Sequence, residues 1–233
     1  MTNSDTKQIY TMGRSESETQ RLIKQSQLYD AITRNFLARA GISSGMKVLE
    51  IGSGAGDVAM IAAEMVGSEG QVVGVDVNAD ILNIARSRAE AAGLQNITFI
   101  AGDVRDADLD SEFDALVGRL VLMYIPEVGK AFENLLSLLK TGGIVAFQEV
   151  DMTPYTATKH PDSPVTNNLI DWTLEVFNRT GGNTSMGLDL YKLFKEAGLP
   201  DPDMHYEAPI GCSESWPGFS YVEQSFRSLL HCS

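Results

Sequence analysis

A short strand, a glycine loop and a helix follow one another without a break near the start of the chain, and this succession limits the fold more than any other feature. Residues 46–51 read as an apolar strand, Gly52, Gly54 and Gly56 alternate with Ser53 and Ala55, and Asp57 opens a helix of small residues that runs to about residue 66. Glycine permits the tight turn and lets backbone come close to a ligand. In an open α/β sheet the binding crevice lies at the carboxyl ends of the strands, where such a loop emerges.

The remainder repeats the rhythm. Strands are predicted over 71–75, 96–101, 113–118 and 144–150, with helices over 78–92, capped by Asn78, and 127–139, closed by the Gly142-Gly143 turn. The connections are too long for hairpins, which predicts a parallel sheet covered by helices on both faces. The runs VLEI, VVGV and IVAF are continuously apolar, as strands covered on both sides require. Ahead of this core, residues 1–14 read as an arm, Ser15 to Glu18 as a capping box, and the helix to residue 40 carries an apolar stripe that includes Tyr29 and Phe36, both expected in the core, before Gly41 stops it. After Val150 comes a loop with three prolines over 151–165, then helices over 165–179 and 188–197, a sixth strand over 204–210 and a helix over 220–230. The organisation is an N-terminal arm and helix (1–40), an α/β core (41–150) and a substrate-side segment (151–233) of the same domain.

Composition narrows the partners. A chain of 233 residues suits one domain or a domain with a small lid. With 31 acidic against 18 basic side chains the net charge is −13, and no run of Lys and Arg relieves it, so no nucleic-acid partner is expected. The longest apolar stretch, 115–125, is short and carries Arg119, and the first eight residues lack an apolar core, so no membrane partner is expected. Cys212 and Cys232 read as reduced thiols of a cytoplasmic protein. A small molecule, neutral or cationic, is the favoured ligand.

The loop indicates which one. A dinucleotide site wants G-x-G-x-x-G, with the pyrophosphate at the helix N-terminus. Here the third glycine comes one residue early and Asp57 stands where a glycine is expected, while Glu50 adds further negative charge. A ligand without phosphates and with positive groups fits, and S-adenosylmethionine is one. At this point the chain resembles the class I S-adenosylmethionine-dependent methyltransferases. Glu50 to Gly56 looks like their first motif, Val73-Gly74-Val75-Asp76 like the second, Ala101-Gly102-Asp103-Val104 like the third, and the segments 113–126 and 138–145 like two later ones. The resemblance spans about 40–150 and implies a doubly wound, mostly parallel α/β sheet of the Rossmann-like methyltransferase type, with a helical insertion after the fifth strand.

It also implies roles. Gly52, Ser53, Gly54 and Gly56 would pack against the methionine part of the cofactor, with Glu50 organising the loop and the ammonium. Asp76 would accept the ribose hydroxyls, Val77 would pack on the adenine, Asp103 would accept the adenine amine and the Val104 N–H would reach a ring nitrogen. The backbone carbonyl of Arg119 would take the ammonium, with an internal ion pair as the other role of its side chain. Tyr10 and Arg14 lie in an arm that folds over the cofactor in similar enzymes.

Methyl transfer from a sulfonium is an in-line displacement with an activated leaving group, so positioning and exclusion of water supply most of the acceleration. If the acceptor must lose a proton, His160, Glu149, Asp151 and Tyr155 follow the fifth strand and are the candidate bases. Catechol-type enzymes place acids and an Asn after the fourth strand; here stands Arg119-Leu120-Val121, so no metal is expected. Tyr124, Met152, Tyr155, Trp172, Phe177, Met186, Trp216 and Phe219 are candidates for an apolar acceptor cavity. The rival readings are a protein that binds the cofactor without catalysis and a nucleotide-dependent oxidoreductase, against which the loop spacing argues. Similar enzymes carry two further antiparallel strands; with one candidate here, the last antiparallel strand is expected to be missing, leaving the fifth strand's edge to a homodimer or the C-terminal third poorly ordered.

Overall fold

The computed structural model describes residues 16–105, 109, 112–154, 163–213 and 215–230. Helix α1 (Glu16–Ala40) leads into β1 (Lys47–Ile51), α2 (Asp57–Val66), β2 (Gln71–Asp76), α3 (Ala79–Ala91), β3 (Ile97–Ala101) and β4 (Phe113–Arg119). A single 3-10 turn (Leu122–Tyr124), α4 (Val128–Leu136) and β5 (Leu139–Gln148) complete the alternation, and α5 (Pro164–Thr180), α6 (Met186–Glu196) and α7 (Pro217–Leu230) follow. The five strands form one parallel sheet in the order β3-β2-β1-β4-β5.

Both faces of this sheet are covered, and alternate residues of a strand serve opposite faces. Leu49, Ile51, Val73, Val75 and Leu116 pack with Phe132, Phe147 and Phe194 on one side. Val48, Val72, Ala115 and Val117 pack with Leu37, Ile61 and Leu82 on the other. Glu50 and Gly74, paired in register across β1 and β2, therefore belong to the second face, under the helices that precede and follow β1.

Two helix boundaries are as expected. Gly41 ends α1 with φ +97°, and the Asn78 side chain caps α3 by accepting from the Asp80 N–H at 3.1 Å. Ser15 of the expected capping box lies outside the described residues.

Two expectations need correction. Strand β5 begins at Leu139 rather than at 144, and α4 ends at Leu136. The Phe113 N–H already donates to the Leu138 carbonyl, so the chain pairs with β4 before Gly142 (φ +82°) opens a shift of register. Residues 204–210 form no strand; Met204, Tyr206 and Ile210 stand exposed. Their alternation offers an apolar side but no sheet to lay it on, and Pro202 and Pro209 remove a backbone donor at each end. Among the described residues β5 is one of the sheet's two outer strands, opposite β3.

Candidate functional site

The strand order reverses between β1 and β4, the place where a doubly wound sheet opens its crevice. The glycine loop emerges there. Gly52, Gly54 and Gly56 all have positive φ (+68°, +49° and +85°), a conformation that side-chain-bearing residues seldom adopt. The N–H groups of Gly52 and Ser53 both donate to the Val75 carbonyl, at 2.8 and 3.1 Å, which ties the loop to β2. A Cβ on Gly52 would lie 2.4 Å from a methyl of Val121, the residue that follows β4 and Leu120.

Four carboxylates surround the loop, each satisfied differently. Glu50 is buried, and the Ser53 hydroxyl donates to its Oε2 at 2.6 Å. Burial pushes its carboxyl up to about 8, against the opposing pull of that hydroxyl. A Cβ at Gly74 would sit 2.5 Å from the Ser53 Oγ, so the glycine opposite Glu50 makes room for this pair. Asp76, at the end of β2, accepts from the Gly54 N–H at 2.8 Å and from the Asn78 N–H at 2.9 Å. Arg105 grips Asp103 through Nε (2.9 and 3.1 Å), Nη2 (2.5 Å) and its own N–H (2.9 Å), and these bonds hold the carboxyl below the usual range. Asp57, in the first turn of α2, accepts from Arg88 Nη2 at 2.7 Å and lies 3.8 Å from Arg119 Nη2.

Arg88 also donates to the Ala55 carbonyl at 2.5 Å, so one side chain of α3 holds both the loop and the start of α2. Arg119 is buried and donates through Nη1 to the Thr33 hydroxyl at 2.9 Å, which in turn donates to Gln148 Oε1 at 2.9 Å. The Arg119 side chain thus makes the internal ion pair that was its alternative role, and it joins α1 to the ends of β4 and β5.

Above these groups lies a cavity of about 1100 Å³. One end is lined by Glu50, the glycine loop, Asp76, Val77, Asp103 and Val104. The other is lined mainly by apolar groups of the 120–125 segment, α5 and α7, with Tyr124, Met152 and Phe177 among them. A volume just above the roughly 300–1,000 Å³ usual for one small ligand leaves room for two. The other aromatic and methionine candidates fall elsewhere. Met186 is in the core, Trp172 packs against it and stacks on Phe226, and Trp216 and Phe219 pack on each other.

Tyr29, expected in the core, lines the cavity instead, at 6.0 Å from the rings of Tyr221 and from the Arg119 guanidinium. Helix α1 is long enough to overhang the sheet: Leu37 reaches the core, while Arg21, Leu22, Gln25 and Tyr29 roof the crevice. Gln25 Nε2 donates to the Tyr221 hydroxyl at 3.3 Å, joining α1 to α7.

Of the candidate bases, neither Glu149 nor Asp151 lines the cavity. Asp151 accepts from the Thr153 N–H at 2.9 Å and its hydroxyl at 2.6 Å. Glu149 Oε1 accepts from the Val121 and Leu122 N–H groups at 2.9 and 2.8 Å, and burial pushes its carboxyl up to about 7. Tyr10, Arg14, Tyr155 and His160 lie outside the described residues. Among the described residues no three His, Cys, Asp or Glu side chains gather as for a metal ion, and no helix is long and apolar enough to cross a membrane.

Sequence reading did not find Arg88, Thr33, Gln148 or the roof residues Arg21, Gln25 and Tyr221. The one available signal was Asp57: a buried first-turn acid beside a glycine loop calls for a cation.

Comparison with known proteins decides the family. Residues 42–198 match the family model described as a methyltransferase domain. The chain belongs to the class I S-adenosylmethionine-dependent methyltransferases. It is similar to the arsenite methyltransferase of Aquipseudomonas alcaligenes, 28% identical over 77% of this chain and 51% of that one. It is also similar to the ubiquinone/menaquinone biosynthesis C-methyltransferase UbiE of Idiomarina loihiensis, 28% identical over 70% of this chain and 63% of that one. The aklanonic acid methyltransferase DauC of a Streptomyces species is 32% identical over 55% of this chain and 63% of that one. The chain therefore spans between half and two-thirds of the length of these relatives. Among solved structures, a SAM dependent methyltransferase from Aquifex aeolicus shares the fold with a TM-score of 0.61 and 21% identity, covering 80% of this chain and 89% of that one. The residues suit the family's cofactor: acids crowd the loop, and Asp57 at the start of α2 would oppose a pyrophosphate there.

Proposed function

We propose that the chain transfers a methyl group from S-adenosylmethionine to a small apolar or aromatic acceptor. The observation that carries this reading is the single cavity whose acid-lined, glycine-loop end is continuous with an apolar end. Bound there, S-adenosylmethionine supplies a methyl group on a sulfonium, already activated for in-line displacement. The glycine loop and Glu50 serve the amino-acid end, Asp76 the ribose hydroxyls, and Val77, Asp103 and Val104 the adenine. Gly52, Ser53, Gly54 and Gly56 offer backbone where no side chain intrudes, and the Arg119 carbonyl adds an acceptor for the ammonium. The roof of α1 and α7 excludes water from the reacting groups.

The acids that line the cavity all lie at the cofactor end. Tyr29, Tyr124 and Tyr221 line the rest, with no carboxylate or histidine among the described residues there. An amine, a phenol or an enol, each nucleophilic on its own account, is compatible with that lining. The net charge of −13 supports a reading without a nucleic-acid partner. A cytoplasmic setting and a homodimer over the outer edge of β5 belong to the same proposal.

Turnover of methyl-labelled cofactor with a panel of amines, phenols, quinols and indoles tests it. Label transferred to an apolar member supports the reading. Binding of S-adenosylhomocysteine without transfer to any member points to a binding protein, and tight NADH binding with no response to the methyl donor overturns the reading altogether.

A further inference from the structure

The 120–124 turn after β4 forms one wall of the cavity through Leu120, Val121, Met123 and Tyr124. It is not a relaxed turn: Leu120 has φ +53°, in the left-handed region that a leucine seldom enters. The last residue of β5 and the residue after it hold the turn. The Gln148 carbonyl accepts the Leu120 N–H at 2.8 Å, and Glu149 Oε1 accepts the next two, from Val121 at 2.9 Å and Leu122 at 2.8 Å. Val121 caps the 3-10 turn without a side-chain hydrogen bond of its own, so the carboxylate of Glu149 stands in for the missing cap.

Val121 is what this arrangement positions. A Cβ on Gly52 would lie 2.4 Å from one of its methyls and a Cβ on Gly118 2.9 Å from the other, so its side chain fills the space between the glycine loop and β4. Glu149 is therefore two contacts from the glycine loop, through the Val121 backbone and then the Val121 side chain. Its second oxygen, Oε2, is sealed from solvent and has no hydrogen-bond partner among the described residues. Burying a carboxyl group with one oxygen unpaired costs stability, so its presence here calls for an explanation.

Resting on the cofactor reading above, we propose that Glu149 is a positioning residue for methyl transfer: its carboxylate clamps the 120–124 turn against the glycine loop and so shapes the wall that meets the amino-acid end of the cofactor. It acts through Val121 and is not the base.

Calorimetric titration with two probes tests this. S-adenosylhomocysteine carries the amino-acid end; 5′-methylthioadenosine keeps the adenosine and lacks that end. Glu149→Leu should weaken S-adenosylhomocysteine by at least about tenfold and methylthioadenosine by less than about twofold, the first being the scale of a lost hydrogen bond to a charged group. Glu149→Gln keeps an oxygen that can accept both N–H groups and should stay within about threefold of wild type for both probes. Val121→Ala, which trims the wall and leaves the carboxylate intact, should show the same selective loss as Glu149→Leu.

Unchanged affinities in Glu149→Leu overturn the clamp, and so does equal weakening of both probes or a glutamine variant as damaged as the leucine one. If Glu149→Leu does not fold, Val121→Ala decides: an unchanged ratio of the two affinities overturns the proposal. A wild type that binds neither probe overturns the cofactor reading itself, and is told apart because the failure precedes any substitution.

Discussion

Replacing Glu50 by glutamine should make the protein's stability less dependent on pH, with a size that the structure sets. Burial raises the Glu50 carboxyl from its ordinary 4.5 to about 8. Between those values the folded protein keeps a proton that the unfolded chain has released. The folded state then binds more protons, so stability falls as pH rises, by about 1.4 kcal/mol per pH unit for one proton. This contribution is fully present below about 4.5 and is lost progressively until the folded-state carboxyl ionises near 8. Glutamine matches the protonated carboxyl in shape and does not titrate. Urea unfolding of both proteins at pH 5.5, 6.5 and 7.5 isolates the effect, because all other groups cancel in the difference. The glutamine variant should gain on wild type by roughly 1.4 kcal/mol for each unit of pH. A difference that stays constant over that range would refute the claim that Glu50 is held protonated by burial. The same residue gives a second reading: an ammonium placed near the loop favours the carboxylate, so S-adenosylhomocysteine binding near pH 7 should release a proton from wild type and none from the variant. Titrations in buffers of different ionisation enthalpy measure this directly.

Three further substitutions test the rest of the site. Gly52→Ala meets both a φ of +68° and a Val121 methyl at 2.4 Å, so it should destabilise the fold by about 2 kcal/mol or more and abolish S-adenosylhomocysteine binding, while Gly102→Ala, with open space around it, should change stability by less than about 0.5 kcal/mol in thermal unfolding. Arg88→Met strips the closest cation from buried Asp57 and should cost about 2–3 kcal/mol, below the cost of breaking a fully buried pair because 28% of the Arg88 side chain is exposed; adding Asp57→Asn should recover most of the loss in a double-mutant cycle. Asp76→Ala removes the acceptor of the Gly54 N–H as well as the proposed ribose contact, and calorimetry should show S-adenosylhomocysteine binding weakened by about 1.5–3 kcal/mol.

Local chemistry made part of this site readable in advance. The run from Val48 to Asp57 encodes its own strand, loop and helix, because glycine spacing and apolar continuity act within a few residues. Asp76 and Asp103 line the cavity for a related reason: the carboxyl ends of parallel strands all face the same crevice. Contacts between distant elements were not readable. Arg88 meets Asp57 across 31 residues, and that meeting depends on how α3 packs against α2 and not on any local pattern. Tyr29 shares its stripe with core residues, but the stripe itself does not say where the sheet beneath it ends; there a core position becomes a roof. Residues 204–210 show the converse failure, since alternation describes one face of a strand and says nothing about whether a partner edge is available.

How the four acids at the loop are balanced also bears on which ligands the site can tell apart. Asp57 has Arg88 and Arg119, Asp103 has Arg105, and Asp76 has two backbone amides. Among the described residues Glu50 alone of the four has neither a guanidinium nor an amide in hydrogen-bond contact, only the hydroxyl of Ser53. Three of the carboxylates are thus compensated by the protein before any ligand arrives, and their charge changes little on binding. Glu50 has no such partner and burial keeps it protonated, so on the proposed cofactor reading a cationic group near the loop draws off its proton and meets the charge this creates, whereas a neutral nucleoside does not. On the same reading, this buried carboxyl, which Gly74 makes room for from the neighbouring strand, adds to the Val121 wall in selecting a positively charged amino-acid end over a bare nucleoside.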